Sequence, residues 1–152
     1  MSSKLSSKPS LGYIEVSVFS HATEDAEKVQ MAVRKTLPDE LATSLSFQKA
    51  SLAGHHGNPI VLLSARLVDK LMLPLALKKV GSSLAVLDKE TLSRRLEFHI
   101  EKPNLYLRFD KQHAFMGELR LSSNDPIHFK FHFKSKTADQ IASICRENGL
   151  LP

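Results

Sequence analysis

Ile127-His128-Phe129-Lys130-Phe131-His132-Phe133-Lys134 alternates without a break between an apolar side chain and a basic or titratable one. Successive Cβ atoms leave a strand on opposite sides, so period two marks a strand with one buried face and one wet face. The pattern predicts that the phenylalanines lie in a core and that His128, Lys130, His132 and Lys134 project from the other side. One such strand sets the layers around it: helices must cover the phenylalanine face, and the opposite face is left open.

Working outward, Leu105, Leu107 and Phe109 alternate with Tyr106 and Arg108, and Leu119 and Leu121 alternate with Glu118 and Arg120. Two more late strands are therefore expected, with Ser122–Pro126 as a hairpin connection. Near the start, Ile14, Val16 and Val18 alternate with Tyr13, Glu15, Ser17 and Phe19. Thr23 is placed to cap a helix carrying Ala26, Val29, Val33 and Leu37 at helical spacing, and Pro38 stops it. Phe47–Leu52 and Ile60–Leu67 read as short strands joined by Gly54-His55-His56-Gly57-Asn58-Pro59. Two helices, Asp69–Val80 and Asp88 to about Ile100, are expected on either side of Gly81-Ser82-Ser83, the second with a stripe of Leu92, Leu96 and Ile100. Thr137-Ala138-Asp139-Gln140 is a capping box opening a last helix, with Ala138, Ile141, Ile144 and Cys145 inward and Gly149 past its end. The expected fold class is α+β: a two-layer sandwich with a mixed, mostly antiparallel sheet and helices on one face. Residues 1–10 read as a flexible tail and 11–152 as a single domain.

Composition agrees with that frame. The 152 residues are 42% hydrophobic and 24% charged, which excludes a largely disordered, collagenous or coiled-coil chain. One cysteine excludes a disulfide framework and a cysteine-based zinc finger. No stretch approaches the ~18 apolar residues of a membrane span, and MSSKLSSKPS lacks the apolar centre of a signal peptide. A soluble, cytoplasmic protein is expected. The net charge is +5. From Lys102 to Lys136 seven Lys or Arg stand against three Asp or Glu, so +4 of that charge lies in the late segment.

The late segment is the candidate site. Arg108, Arg120, Lys130 and Lys134 are suited to phosphates, with His128 and His132 assisting, and each such contact releases counterions. Tyr106 is placed to stack an unpaired base, worth about 1–3 kcal/mol. A basic sheet with an aromatic suits RNA better than duplex DNA, because no basic helix is built for a major groove. The same alternation also fits a face that is only solvated, with lysines guarding an edge. The Gly54–Pro59 loop has two readings as well. Gly54 and Gly57 would let backbone approach a phosphate, with Asn58 beside them and His55 and His56 as donors, or the loop is simply a tight turn.

Catalysis, a metal and a cofactor are not expected. No His-Glu-x-x-His, Cys-x-x-Cys, Gly-x-Ser-x-Gly, phosphate-binding or dinucleotide-binding glycine pattern occurs. Asp110 and Glu118 are the one carboxylate pair to consider, and Cys145 reads as an inert core thiol. Lys78-Lys79 and Arg94-Arg95 read as solvated helix faces. The alternative to RNA binding is a protein-interaction subunit, for which Phe19 with Phe47 or Phe115 would supply an apolar patch.

Three stretches also resemble a family. His21-Ala22-Thr23-Glu24-Asp25, Gly54–Ile60 and Asn104–Gly117 stand in the order and spacing of a small archaeal family described as predicted exosome subunits or RNA-binding proteins. The resemblance spans about residues 12–148. It implies a fold like that of ribosomal large-subunit protein five and a role beside RNA-processing or RNA-degrading machinery. It aligns Gly54, His55, Gly57, Asn58 and Pro59 with the family's loop, and Arg108, Asp110, Lys111 and Gln112 with its later motif. His56 stands where the family has an aromatic. No catalytic residue is carried over.

Overall fold

The alternating segments form one six-stranded sheet in a computed structural model that describes residues 11–54 and 57–152. Its strands are β1 (Leu11–His21), β2 (Gln48–Ala53), β3 (Pro59–Leu67), β4 (Ile100–Glu101), β5 (Asn104–Phe109) and β6 (Ile127–Phe133). Their order is β2-β3-β1-β6-β5-β4, and every ladder is antiparallel. Among the described residues the one parallel contact is an isolated bridge from Leu84 to Leu119, so the sheet is less mixed than expected. A bulge in β1 sets its face. Leu11 pairs with Phe133 and Tyr13 with His132, so Gly12 is the extra residue and both Leu11 and Ile14 turn to the core.

Among the described residues six helices cover the phenylalanine face: α1 (Ala26–Lys35), α2 (Asp39–Ser44), α3 (Leu73–Ser83), α4 (Val86–Arg94), α5 (Lys111–Phe115) and α6 (Ala138–Glu147). Phe109, Phe129, Phe131 and Phe133 are buried in one cluster with Ile14, Leu63, Leu105 and Leu107 from the sheet. Val33, Leu73, Leu77, Val80, Leu92, Ile141 and Ile144 meet them from the helices. Truncating one of these phenylalanines to alanine would cost about 3–5 kcal/mol. Cys145 belongs to the same cluster, and burial pushes its thiol up to about 12, so it stays protonated and unreactive.

Most elements have the expected type, with shifted boundaries. Asp25, not Thr23, caps α1, its carboxylate accepting from the Glu27 N–H at 3.0 Å. The α6 capping box is complete, Thr137 and Gln140 each bonding the other's backbone N–H. Gly81 does not divide two helices but lies inside α3. A Cβ there would collide with the Asn148 carbonyl, so the glycine lets α3 press backbone to backbone on the end of α6. The second helix ends at Arg94; a single 3-10 turn (Leu96–Phe98) and the two-residue β4 follow, with Leu96 and Ile100 still packed at the core's edge.

The expected Leu119/Leu121 strand and its hairpin do not form. Leu119 and Leu121 make only isolated bridges, to Leu84 and Phe109. The Leu121 N–H donates to the Asp88 carboxylate of α4 at 3.0 Å, which replaces a ladder partner. β6 pairs instead with β5, across a connection that holds α5.

Candidate nucleic-acid interface

Directly opposed residues in a sheet share a face, so the register gives the rows of the side without helices. One row is Ser64, Ser17, His128 and Arg108, and the next is Arg66, Glu15, Lys130 and Tyr106. A third is Tyr13, His132 and Asn104. Tyr106, Arg108, His128, Lys130 and His132 are thus brought together as the alternation requires. Lys134, just past β6, is exposed beside Lys70; that second ammonium pulls its pKa down. Arg120 is the exception. It is exposed on the non-strand segment after α5, its carbonyl accepting from the Asp110 N–H at 2.8 Å, because the strand expected to present it is absent. Gly57 and Asn58 are exposed at the β2–β3 turn, while His55 and His56 lie outside the described residues. Gly57 has φ +75, the left-handed region, and Gly54 and Asn58 close the turn by a backbone hydrogen bond of 2.6 Å.

Half of this face is already occupied with itself. The Arg66 guanidinium donates to Glu15 at 2.7 Å and lies 4.1 Å from the centre of the Tyr13 ring. His132 stacks on Tyr13 at 4.6 Å and sits 2.8 Å from the Asn104 side-chain oxygen. Lys130 approaches Tyr13 and Glu15, and the Tyr13 hydroxyl, with these neighbours, favours its charged form. Arg66, Arg108 and Lys130 here stand against Glu15 and Glu101, with Lys134 exposed just past β6. Tyr13, Glu15 and Arg66 were not candidates from sequence. The available signal was the polar Ser64 and Arg66 inside a run otherwise read as continuously buried.

The other half is unsatisfied. A depression of about 420 Å³ opens between Phe19 and Leu62 on one side and Tyr106 and Arg108 on the other, with Ser17 and His128 between them. Among the described residues, neither the His128 ring nor the Arg108 guanidinium makes a hydrogen bond or ion pair. Burial, then the Arg108 charge, push His128 below the ordinary histidine range against the weaker pull of Asp125. Its ring is therefore neutral at pH 7, with one N–H donor and one acceptor. Phe47 and Phe115 do not join Phe19 in an apolar patch. They pack at the core's edge, under Arg34 and Lys35 respectively.

A third cluster absorbs the two other familiar stretches. Lys111 is buried at the end of β1, donating to the Phe19 carbonyl at 2.8 Å and to Glu24 at 3.0 Å, with Asp125 at 2.8 Å. His21 Nε2 lies 3.1 Å from Asp125, and the His21 N–H donates to Glu24. His21, Glu24 and Asp125 resemble a metal-ligand set, but the Lys111 ammonium already supplies the cation between the two carboxylates. Asp110 caps α5 and holds the His113 ring at 2.7 Å, so it is committed to structure, while Glu118 is exposed. Of the two carboxylates considered together in the sequence, Asp110 alone has side-chain partners among the described residues.

Comparison with known proteins bears on this face. A family model described as RNA binding matches residues 13–133. A Pyrococcus abyssi protein named as an RNA-binding protein is 31% identical over 125 residues, 80% of this chain and 81% of its own length. A solved DUF54 protein from Methanothermobacter thermautotrophicus superposes with a TM-score of 0.72 at 28% identity, covering 93% of this chain and 98% of the other. One from Sulfolobus solfataricus, assigned to the same family, gives 0.71 at 25% identity, covering 90% and 96%. The matched span runs from the first open-face residue of β1 to the end of β6, and on that ground the chain belongs to this RNA-binding family.

Proposed function

We propose that the open sheet face binds RNA, without catalysis and with little overall sequence preference. The observation that supports this most is the register, which puts Arg108 and Lys130 on a face without helices, with Lys134 exposed just past β6, in a chain of an RNA-binding family. On this reading Arg108, Lys130 and Lys134 hold phosphates, Arg120 extends the track, and His128 and His132 assist. Tyr106 stacks a base, since the Tyr13 ring is already taken by His132 and Arg66. The Gly57–Asn58 turn, with His55, meets the backbone further along. The Pyrococcus relative's name points the same way. The wider setting we propose is RNA-processing or RNA-degrading machinery, the exosome included. The sandwich of one sheet and one helical layer is in keeping with a likeness to ribosomal large-subunit protein five.

A filter-binding salt series on single-stranded RNA tests the reading. Three phosphate contacts give a log K against log salt slope of about −2. The Lys130→Glu/Lys134→Glu variant should lose at least about tenfold in affinity at low salt by the same term. Binding that is indifferent to salt, or equal binding by that variant, refutes it.

A second reading is a protein-interaction subunit. Val86 and Leu87 on α4 and Phe98 after it are exposed by 68%, 74% and 78%, far more than apolar side chains of that size need be. A partner retained after nuclease treatment, with no RNA bound by the purified chain, would favour it.

A further inference from the structure

From the depression on the open face we infer a seat for one unpaired purine base, guanine first, bounded by Phe19 and Tyr106 and read by His128 and Arg108. The inference rests on the RNA-binding reading and names the part of RNA this site takes.

The sheet delivers the parts. Ser17, His128 and Arg108 lie in one row across β1, β6 and β5. Phe19 is two residues along β1 from Ser17, and Tyr106 two residues along β5 from Arg108, so the aromatics flank that row on opposite strands. All five line the same depression of about 420 Å³, within the range of small-molecule sites. Among the described residues, neither aromatic ring stacks on another ring or carries a cation over it. The ring most like them, Tyr13, has His132 at 4.6 Å and Arg66 at 4.1 Å. The fold therefore uses Tyr13 internally and leaves Phe19 and Tyr106 with free faces, which a base can use because every base has an apolar face.

The polar groups narrow the ligand. The His128 ring is half-buried, and a half-buried polar group left unpaired costs free energy unless water or a ligand meets it, whereas Arg108 is exposed at the rim. In this seat Arg108 turns from the phosphates, which Lys130, Lys134 and Arg120 hold, to the base edge: its guanidinium offers parallel N–H donors that match the O6 and N7 acceptors of guanine, where adenine presents a donor at the corresponding position. A neutral His128 supplies one donor and one acceptor, as an unpaired base edge requires. Ser17 adds a hydroxyl that serves as either. A duplex does not fit, because its bases are stacked on one another and its deep major groove closes their edges to side chains.

Uridine nonamers carrying a single central guanosine, adenosine or 2-aminopurine are the probes, with a blunt RNA duplex as the control. The guanosine nonamer should bind roughly tenfold tighter than the adenosine one, the worth of one good bidentate contact. The 2-aminopurine emission should change on binding. Tyr106→Ala and Phe19→Ala should each weaken the nonamers by roughly 5- to 150-fold, the effect of losing one stacked base. Tyr106→Phe should restore affinity. Arg108→Lys keeps the charge and should abolish the guanosine preference, because an ammonium lacks the planar fork. Duplex binding should be the same in all of them. Wild-type binding of every RNA with no guanosine preference, and variants equal to it, would overturn the seat and leave the RNA reading standing. A wild-type chain that binds neither nonamers nor duplex would overturn that reading, and the seat with it.

Discussion

The end of β1 and the middle of the open face are made of the same kinds of residue and are in opposite conditions. At the end of β1, Lys111, Glu24, Asp125 and His21 satisfy one another, and Lys111 is only 8% exposed. Asp125 even takes a left-handed backbone, φ +49, to keep its carboxylate between Lys111 and His21. On the open face, His128 and Arg108 have no such partners among the described residues. A polar cluster that completes itself is part of the fold. One that the fold leaves incomplete is where an outside molecule has something to add.

The largest effect should come from breaking the complete cluster. Lys111→Met removes the cation between Glu24 and Asp125 and should cost about 1.5–3 kcal/mol, the range for hydrogen bonds to charged groups, since the two carboxylates left behind are part-exposed. Denaturant unfolding would show it, and a midpoint equal to wild type would mean that the cluster does not hold the fold. Next, Arg108→Ala should lower affinity for single-stranded RNA about tenfold. Its stability should change by less than about 0.5 kcal/mol, as is usual for an exposed side chain without partners. A loss of stability without loss of binding would invert the comparison.

Acid should act where carboxylates already have partners. Burial opposes ionisation of Asp125, but hydrogen bonds from Lys111 and His21 outweigh it and hold the carboxyl below its ordinary value. Asp110 is likewise held low, its hydrogen bonds from His113 outweighing burial. Both are depressed in the folded state, so their contribution is fully present above the ordinary carboxylate value of about 4 and is lost as pH falls through the folded value. Stability measured against pH should therefore drop below about pH 4, and Asp125→Asn should flatten that drop. An unchanged slope in Asp125→Asn would remove Asp125 from the account.

The smallest effect has the opposite sign. Glu15→Gln releases Arg66 and Lys130 from their shared carboxylate and should tighten RNA binding a few-fold at low salt. Weaker binding by this variant would show that Glu15 positions these cations for RNA instead of competing with it.

The pleat could be read directly. Ile127 to Lys134 places each phenylalanine inside and each basic residue outside because the side-chain period of a strand is a local property of the backbone. The capping box at Thr137 and the turn at Gly57 are local too, and both stood where the residues put them. Local patterns misled where distant chain intruded. Gly81 reads as a break until Asn148 is packed against it, and Leu119-Arg120-Leu121 reads as a strand until Asp88 takes the Leu121 N–H.

By itself the sequence determined which side of β5 and of β6 would be wet, but strand order, which it left open, put Tyr106, Arg108, His128, Lys130 and His132 on one surface. Only the tertiary structure decided which of those groups would have partners. Arg66 meets Glu15 across 51 positions of chain and Lys111 meets Glu24 across 87, while Arg108 and His128 meet no counterpart among the described residues. Alternation is set residue by residue, but charge pairing depends on strand order and register, which bring together segments that no local pattern relates.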